Sequence, residues 1–492
     1  MLFAAGDAGG SPWRSDKATN RMTSMNRGSE RRVPQRTWLR RTLRCSQVEA
    51  VASSTMTATG DNFFNAFAIY LQASIVQMGW LTAFPQFFGA VFQLLSVWLG
   101  AYIPRRLLIA IFAVIQALVV AAMGVLALFH PEWGMLALIV LAIFYHASMN
   151  VIQPQWRAWM GSIVPRRRRG VFFASRTRLT MATALVVFLA GGAMLSLSEA
   201  SGKAWLGFLL LFGAAAIGRF ISAWLLWEMH DPDPHVPAAQ SRQFAETMRH
   251  TLQSLKDRTF RNYSLFVAGM QGMVAISAPF FAVYMLSELQ FSYLQYSLCS
   301  ISSIATQFVT LKFWGRMSDR VGNRLVMVIT SCILPTLPLW WLISPNFYYL
   351  LWVQAISGFA WSGFSLSTAN YLYDIRPHRT NFAGYAAVQS AIGATLVFAG
   401  ALFGGYLAAA APYIRDQLPF KLGSAIFVVF ICSALLRSLV ALWFIPRAVE
   451  PRVRHHPHLL KIVYRVARFN SISGMVLDWL TVTSRKDEEA KK

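Results

Sequence analysis

The chain has 492 residues, of which 55% are hydrophobic and only 13% charged, whereas soluble domains carry about 25% charged residues. A soluble core cannot hide that much apolar surface, so the composition points to an integral membrane protein. The net charge of +24 raises nucleic acid as a partner, but its distribution along the chain argues otherwise.

Residues 1–46 are polar and arginine-rich, which predicts a basic, disordered tail. No cleavable signal peptide is recognisable there, and Met22 and Met25 are alternative starts. A membrane-spanning helix needs about 20 mostly apolar residues. Such runs fall at 47–71, 77–101, 107–129, 135–161, 177–198 and 204–229. A polar linker at 230–261 separates them from 262–286, 293–317, 325–344, 348–373, 382–410 and 421–446. The expected domains are therefore an N-terminal six-helix bundle (47–229), the linker, a C-terminal six-helix bundle (262–446) and a tail (447–492). In that tail "HLLKIVYRVARF" (458–469) reads as an amphipathic helix on a membrane surface. Cys45, Cys299, Cys332 and Cys432 lack metal-ligand spacing, so no disulfide framework, metal or cofactor is expected.

The connections alternate in character. "QASIVQ", "HPEWG", "EASGK", "SELQFS" and "PNF" are poor in basic residues, and "YIPRR", "SIVPRRRRGVFFASR", "SDRVGNR" and "DIRPHRTN" are rich in them. Counting both tails and the linker, 38 of the 45 Lys and Arg fall on the second side, against Lys203, Arg415 and Lys421 on the first. This is the positive-inside pattern. It predicts an inner-membrane, multi-pass protein with both termini cytoplasmic. Anionic headgroups of the lipid bilayer then account for the positive charge, and no nucleic acid is needed.

The halves repeat each other. "FAIYLQ" (67–72) parallels "FAVYML" (281–286), and "WLGAYIPRRLL" (98–108) parallels "FWGRMSDRVGNRLV" (313–326) with a three-residue deletion that pairs Gly100 with Gly315. "IVPRRRRG" (163–170) parallels "IRPHRTNFAG" (375–384), and "GRFISAWLLW" (218–227) parallels "LRSLVALWFI" (436–445), pairing Arg219 with Arg437. Two parallel six-helix halves around a cavity are a known transporter plan.

Within the second half, "GRMSDRVGNR" (315–324) resembles the Gly-x-x-x-Asp-Arg-x-Gly-x-Arg loop of the major facilitator superfamily. "WMGSIVPRRRRGVFFASR" and "NYLYDIRPHRTNFAGY" look like the loops after helices 4 and 10 of uncharacterised bacterial members. The resemblance covers 47–446. It implies an all-α membrane fold of twelve transmembrane helices in two pseudo-symmetric bundles, with spans 1, 4, 7 and 10 around the cavity. It also implies that Asp319 latches the cytoplasmic gate, framed by Gly315, Arg320, Gly322 and Arg324. The first half departs from the motif, with Pro104 in place of the aspartate. Span 5 lacks the Gly-Pro pair of proton-antiport drug exporters, and the end of span 6 does not resemble the sugar-porter signature.

A charge at mid-bilayer costs about 2.5–3.5 kcal/mol on insertion scales, so polar residues inside the apolar runs are the site candidates. Asp61 lies deep in span 1, with Asn65 one turn on. In span 4, His146, Asn150, Gln153 and Arg157 form one polar stripe. A buried carboxylate can switch between charged and neutral forms, which suits Asp61 to a proton or a cationic group. The imidazole of His146 can share that proton, and Arg157 can hold an anionic group. Gln271 and Trp361 are candidate lining residues. Arg219 and Arg437 read instead as structural ties, and the glycines of "GALFGGYL" (400–407) as a close-packing face.

No Walker A, His-Glu-x-x-His or Gly-x-Ser-x-Gly motif occurs. The reading is a monomeric secondary transporter of a small solute by alternating access, with protons as a candidate coupling ion. The alternatives are a transport-inactive sensor or assembly factor on the same scaffold, and a membrane-embedded enzyme using Asp61 and His146.

Overall fold

The structure, a computed structural model, describes residues 35–129, 131–164, 169–231, 254–375, 382–419 and 422–447. The tail helix expected at 458–469 and most of the linker lie outside them. Among the described residues there is no strand. The first bundle comprises α1 (Gln35–Tyr70), α2 (Ile75–Tyr102), α3 (Arg105–Phe129), α4 (Gly134–Ile163), α5 (Arg169–Ala200) and α6 (Ala204–Glu228). The second comprises α7 (Arg258–Val283), α8 (Tyr293–Val321), α9 (Asn323–Ile333), α10 (Phe347–Ile375), α11 (Phe382–Gln417) and α12 (Ile426–Phe444). A wide turn at Tyr284–Glu288 prolongs α7, and a short helix at Leu337–Trp340 prolongs α9.

Nine of the described helices are long and apolar enough to cross a membrane. The other three, α1, α8 and α10, have the length but carry more Ser, Thr, Asn and Tyr. Several boundaries differ from expectation: α5 begins at Arg169 rather than 177, α11 ends at Gln417 rather than 410, α12 begins at Ile426 rather than 421, and α1 and α8 differ as well. α1 begins at Gln35, inside the stretch read as tail, because "QRTWLRRTLRCSQVE" buries Thr42, Ser46 and Glu49 against its neighbours. α8 runs on to Val321 through most of the charged decamer. The break is one residue, Gly322, whose φ of +88° and ψ of 157° suit glycine alone.

The turns confirm the repeat and correct its register. Ser74 caps α2 with Gln77, and Ser292 caps α8 with Gln295, each through a reciprocal pair of hydrogen bonds. Gln72 (φ 56°) and Gln290 (φ 55°) turn the chain two residues before each cap. Ser74 and Ser292 are 218 positions apart, as are the first residues of α3 and α9 and the arginines Arg219 and Arg437. No deletion is needed, so Gly100 is matched with Ser318, and Ala101 stands where the second half has Asp319. α1 and α7 keep the shorter offset, as do α4 (Gly134–Ile163) with α10 (Phe347–Ile375) and the heads of α5 and α11 (Arg169, Phe382). Phe67 meets Phe212 edge-on at 5.0 Å and Phe281 stacks on Phe430 at 4.5 Å, and the wide turn after α7 absorbs the difference.

Within each bundle, α2 packs on α4 and α8 on α10. Between bundles, α2 packs on α11 and α5 on α8. Exchanging the halves maps one contact onto the other, as a two-fold axis requires. Small residues let the backbones approach. A methyl placed on Gly79 of α2 would lie 2.8 Å from the Ala401 carbonyl and from the Gly405 Cα of α11. Gly400 and Gly404 face the backbone of α7 at Gly272 and Ile276, which is the close-packing role read for "GALFGGYL". Phe84 and Phe87 pack on Phe398 at 5.6 and 4.9 Å. On the other side, Ser196 accepts a 2.8 Å hydrogen bond from the Leu294 amide, and the Tyr296 hydroxyl donates to the Asn62 carbonyl at 2.9 Å. These contacts all lie in the half of the molecule whose loops are poor in basic residues.

Candidate functional site

α1 and α4 meet because α1 has no side chain where α4 is largest. A Cβ on Gly60 would fall 2.6 Å from the Tyr145 hydroxyl, and Tyr145 is fully buried. Phe64, one turn on, meets Tyr145 edge-on at 5.1 Å and His146 at 6.3 Å. The turn of α1 that carries Asp61 is thereby brought beside His146. The backbone of Asp61 is helical, and its side chain lies outside the described residues. Asn65 is half-buried.

The polar stripe of α4 divides in two. His146 and Asn150 are half-buried against α2, where Gly89 leaves room for the Asn150 amide. The Asn150 amide donates to the His146 carbonyl at 2.8 Å. Gln153 and Arg157 are exposed, and Arg157 donates to Gln153 at 2.9 Å. Leu136, Val140 and Phe144 form the exposed apolar stripe of the same helix. Gln153 lies half a revolution from Phe144 at about 100° per residue. It therefore points away from the lipid-facing side. Gln155, outside the stripe, makes the buried interhelical bond instead, donating to the Ser96 carbonyl at 2.8 Å.

In the second bundle, Gln271 is exposed on α7 opposite Gly393 of α11. Trp361 lines a partly open cavity of about 180 Å³ with Phe281, Trp341, Gln354, Ser357 and Arg437. In the decamer, Asp319 is exposed and forms no ion pair among the described residues. Ser318 donates to Asn323 across the Gly322 break. A Cβ on Gly315 would meet only Leu366, at 3.9 Å. The side chain of Arg320 lies outside the described residues.

The strongest polar structure was not foreseen. Glu49, 3% exposed on its side chain, accepts from Arg176 of α5 at 2.6 Å and from Ser222 of α6 at 3.0 Å. Arg219 donates to Ser222 at 2.9 Å and to Ser53 at 3.1 Å. Arg176 also lies 4.3 Å from the Trp156 ring centre. This cluster joins α1, α4, α5 and α6. The spacing of Ser46, Glu49 and Ser53 along one face of α1 was its available signal. A second latch joins Arg105, at the head of α3, to Asp231 just beyond α6. The Arg105 Nε donates to both carboxylate oxygens at 2.8 and 3.0 Å, with side chains 7% and 3% exposed.

A family model described as Major Facilitator Superfamily matches residues 263–482. No curated protein sequence matches the chain. Solved structures match it in fold. A bacterial homologue of the iron transporter ferroportin in an inward-facing state aligns with a TM-score of 0.61 at 12% identity, over 82% of this chain and 98% of that one. The nucleoside transporter NupG aligns at 0.60 and 13%, over 83% and 98%. A D-xylose-proton symporter aligns at 0.58 and 13%, over 85% and 98%.

Proposed function

We propose that this chain, whose fold is that of the major facilitator superfamily, is a secondary carrier that moves a small polar or charged solute by rocking its two bundles. The observation that carries this reading is the pair of exchange-related contacts, α2 with α11 and α5 with α8, gathered at one end of the molecule. A scaffold with two equivalent bundles and a reversible seam is what alternating access needs. The end with basic loops faces the cytoplasm, as does each end of the chain, by the positive-inside rule. The seam then closes the outer side, α4 and α10 share no extensive contact among the described residues, and the carrier stands open inward. Gln153 and Arg157 border the crevice. Asp61 and His146, brought close by Gly60 and Phe64, form the proton-handling pair. Asn65, Asn150 and Gln271 supply hydrogen bonds to the solute. Asp319 has no ion pair among the described residues, as befits a latch whose gate is open.

The test uses purified protein in liposomes. Solutes that raise its Tm are assayed for counterflow and for uptake driven by a pH gradient. Asp61→Asn is expected to reduce gradient-driven uptake at least about tenfold, a change of about 1.4 kcal/mol, while counterflow persists. Unchanged gradient-driven uptake would remove the proton role from Asp61. Absence of counterflow for every stabilising solute would overturn the carrier reading.

A further inference from the structure

The two pseudo-equivalent arginines are treated differently by their bundles. Arg219 shares Ser222 with the buried carboxylate of Glu49. Arg437, 3% exposed, forms no ion pair among the described residues. A buried charge is ordinarily paired, because desolvation without a partner costs several kcal/mol. Three of the five N–H donors of Arg437 have acceptors: the Leu334 carbonyl at 3.3 Å, the Val274 carbonyl at 3.5 Å and the Ser277 hydroxyl at 2.6 Å. Its Nε is buried with no acceptor. It borders the cavity of about 180 Å³ among α7, the turn after α9, α10 and α12. That space is about six times a water molecule's share of the liquid.

The remaining lining suits an organic ligand. Phe281, Trp341 and Leu337 form apolar walls, and Gln354 and Ser357 add polar groups with no hydrogen-bond partner among the described residues. From the unneutralised guanidinium and this lining we propose that the cavity binds a small monocarboxylate. Its carboxylate pairs with Arg437 and its apolar body lies against the aromatic rings. Guanidinium and carboxylate match in shape and charge, which favours a carboxylate over a compact anion. The site lies within one bundle and is separate from the proton-handling pair on α1 and α4.

The test reads binding and needs no transport. Full-length protein in carboxylate-free buffer is titrated with acetate, butanoate and benzoate, and in parallel with butanamide, benzamide and sodium chloride. At least one carboxylate is expected to raise Tm saturably by about 2–5 °C, with the amides and chloride without effect. Arg437→Gln should weaken that carboxylate at least about 30-fold by calorimetry. Ala278→Leu fills the cavity and leaves the arginine in place, so it should weaken binding as well and serves if Arg437→Gln does not fold. Equal stabilisation by amides or by chloride overturns the proposal. So does a carboxylate affinity within about twofold of the parent in either variant, or no stabilisation by any carboxylate.

Discussion

Glu49 shows how a single side chain ties three helices together. Its carboxylate answers Arg176 of α5 directly and Arg219 of α6 through Ser222. Glu49→Gln removes the negative charge and leaves both cations buried, at a cost of about 3–5 kcal/mol. Arg176→Met in the same chain removes part of that excess charge. The double variant should therefore be more stable than the two single losses predict by at least about 1 kcal/mol. Thermal unfolding of the four proteins measures the coupling, and additive losses would mean that the pair does not hold α1 to α5. Asp61 stands out in the sequence as a candidate because a carboxylate deep in an apolar run is conspicuous. Glu49 is inconspicuous because the apolar run of span 1 starts at 47, which puts this residue at a watery edge. Arg437 was legible as a buried cation. That it lacks the carboxylate its counterpart enjoys depends on what packs around it, and periodicity carries no such information.

Among the elements, a run read as apolar falls on each of the twelve helices, although α1, α8 and α10 carry more polar residues than the nine that are long and apolar enough to cross a membrane. Hydropathy fails at ends where charge continues a helix. The decamer "GRMSDRVGNR" looked like a loop because of its arginines and aspartate. α8 instead carries Arg316 and Asp319, both exposed, on its last turns and stops only at Gly322, and Arg324 lies in the first turn of α9. The two glycines of that motif are therefore unequal. Gly322 adopts φ +88° with ψ 157°, a region essentially closed to other residues, so Gly322→Ala should destabilise the protein by about 1–3 kcal/mol. Gly315→Ala adds a methyl group with only Leu366 near it, and should change stability by no more than about 0.5 kcal/mol. Comparing the two Tm values separates a backbone requirement from a motif match. Equal losses would show that the glycine at the break is not held there by its dihedral angles. The repeat was read at nearly its true spacing. The offset of 218 at the heads of α2 and α8 is visible only from the paired caps, because Ser-x-x-Gln is too short a pattern to stand out in a chain rich in serine.

For the whole molecule, the central matter is whether the seam between the bundles governs access to the crevice. Gly79 of α2 lies at its tightest point, against Ala401 and Gly405. Gly79→Val places side-chain carbon where α11 backbone now stands. Overpacking of this kind costs about 1–3 kcal/mol, and the cost falls only on the state in which the seam is closed. It should shift the ratio of the two states by a factor of about 5 to 150. Gln153, on the side of α4 turned from lipid, is the reporter. In a background with the four native cysteines replaced, Gln153→Cys should react readily with a membrane-impermeant maleimide applied from the side with basic loops. Adding Gly79→Val should slow that reaction several-fold, because parting the outer seam brings the basic ends together. A small-residue control, Gly79→Ala, meets the same neighbours with less bulk and should give an intermediate rate. If labelling at position 153 is equally fast in all three proteins, the seam and the crevice are uncoupled. The two bundles then do not rock against each other about this contact.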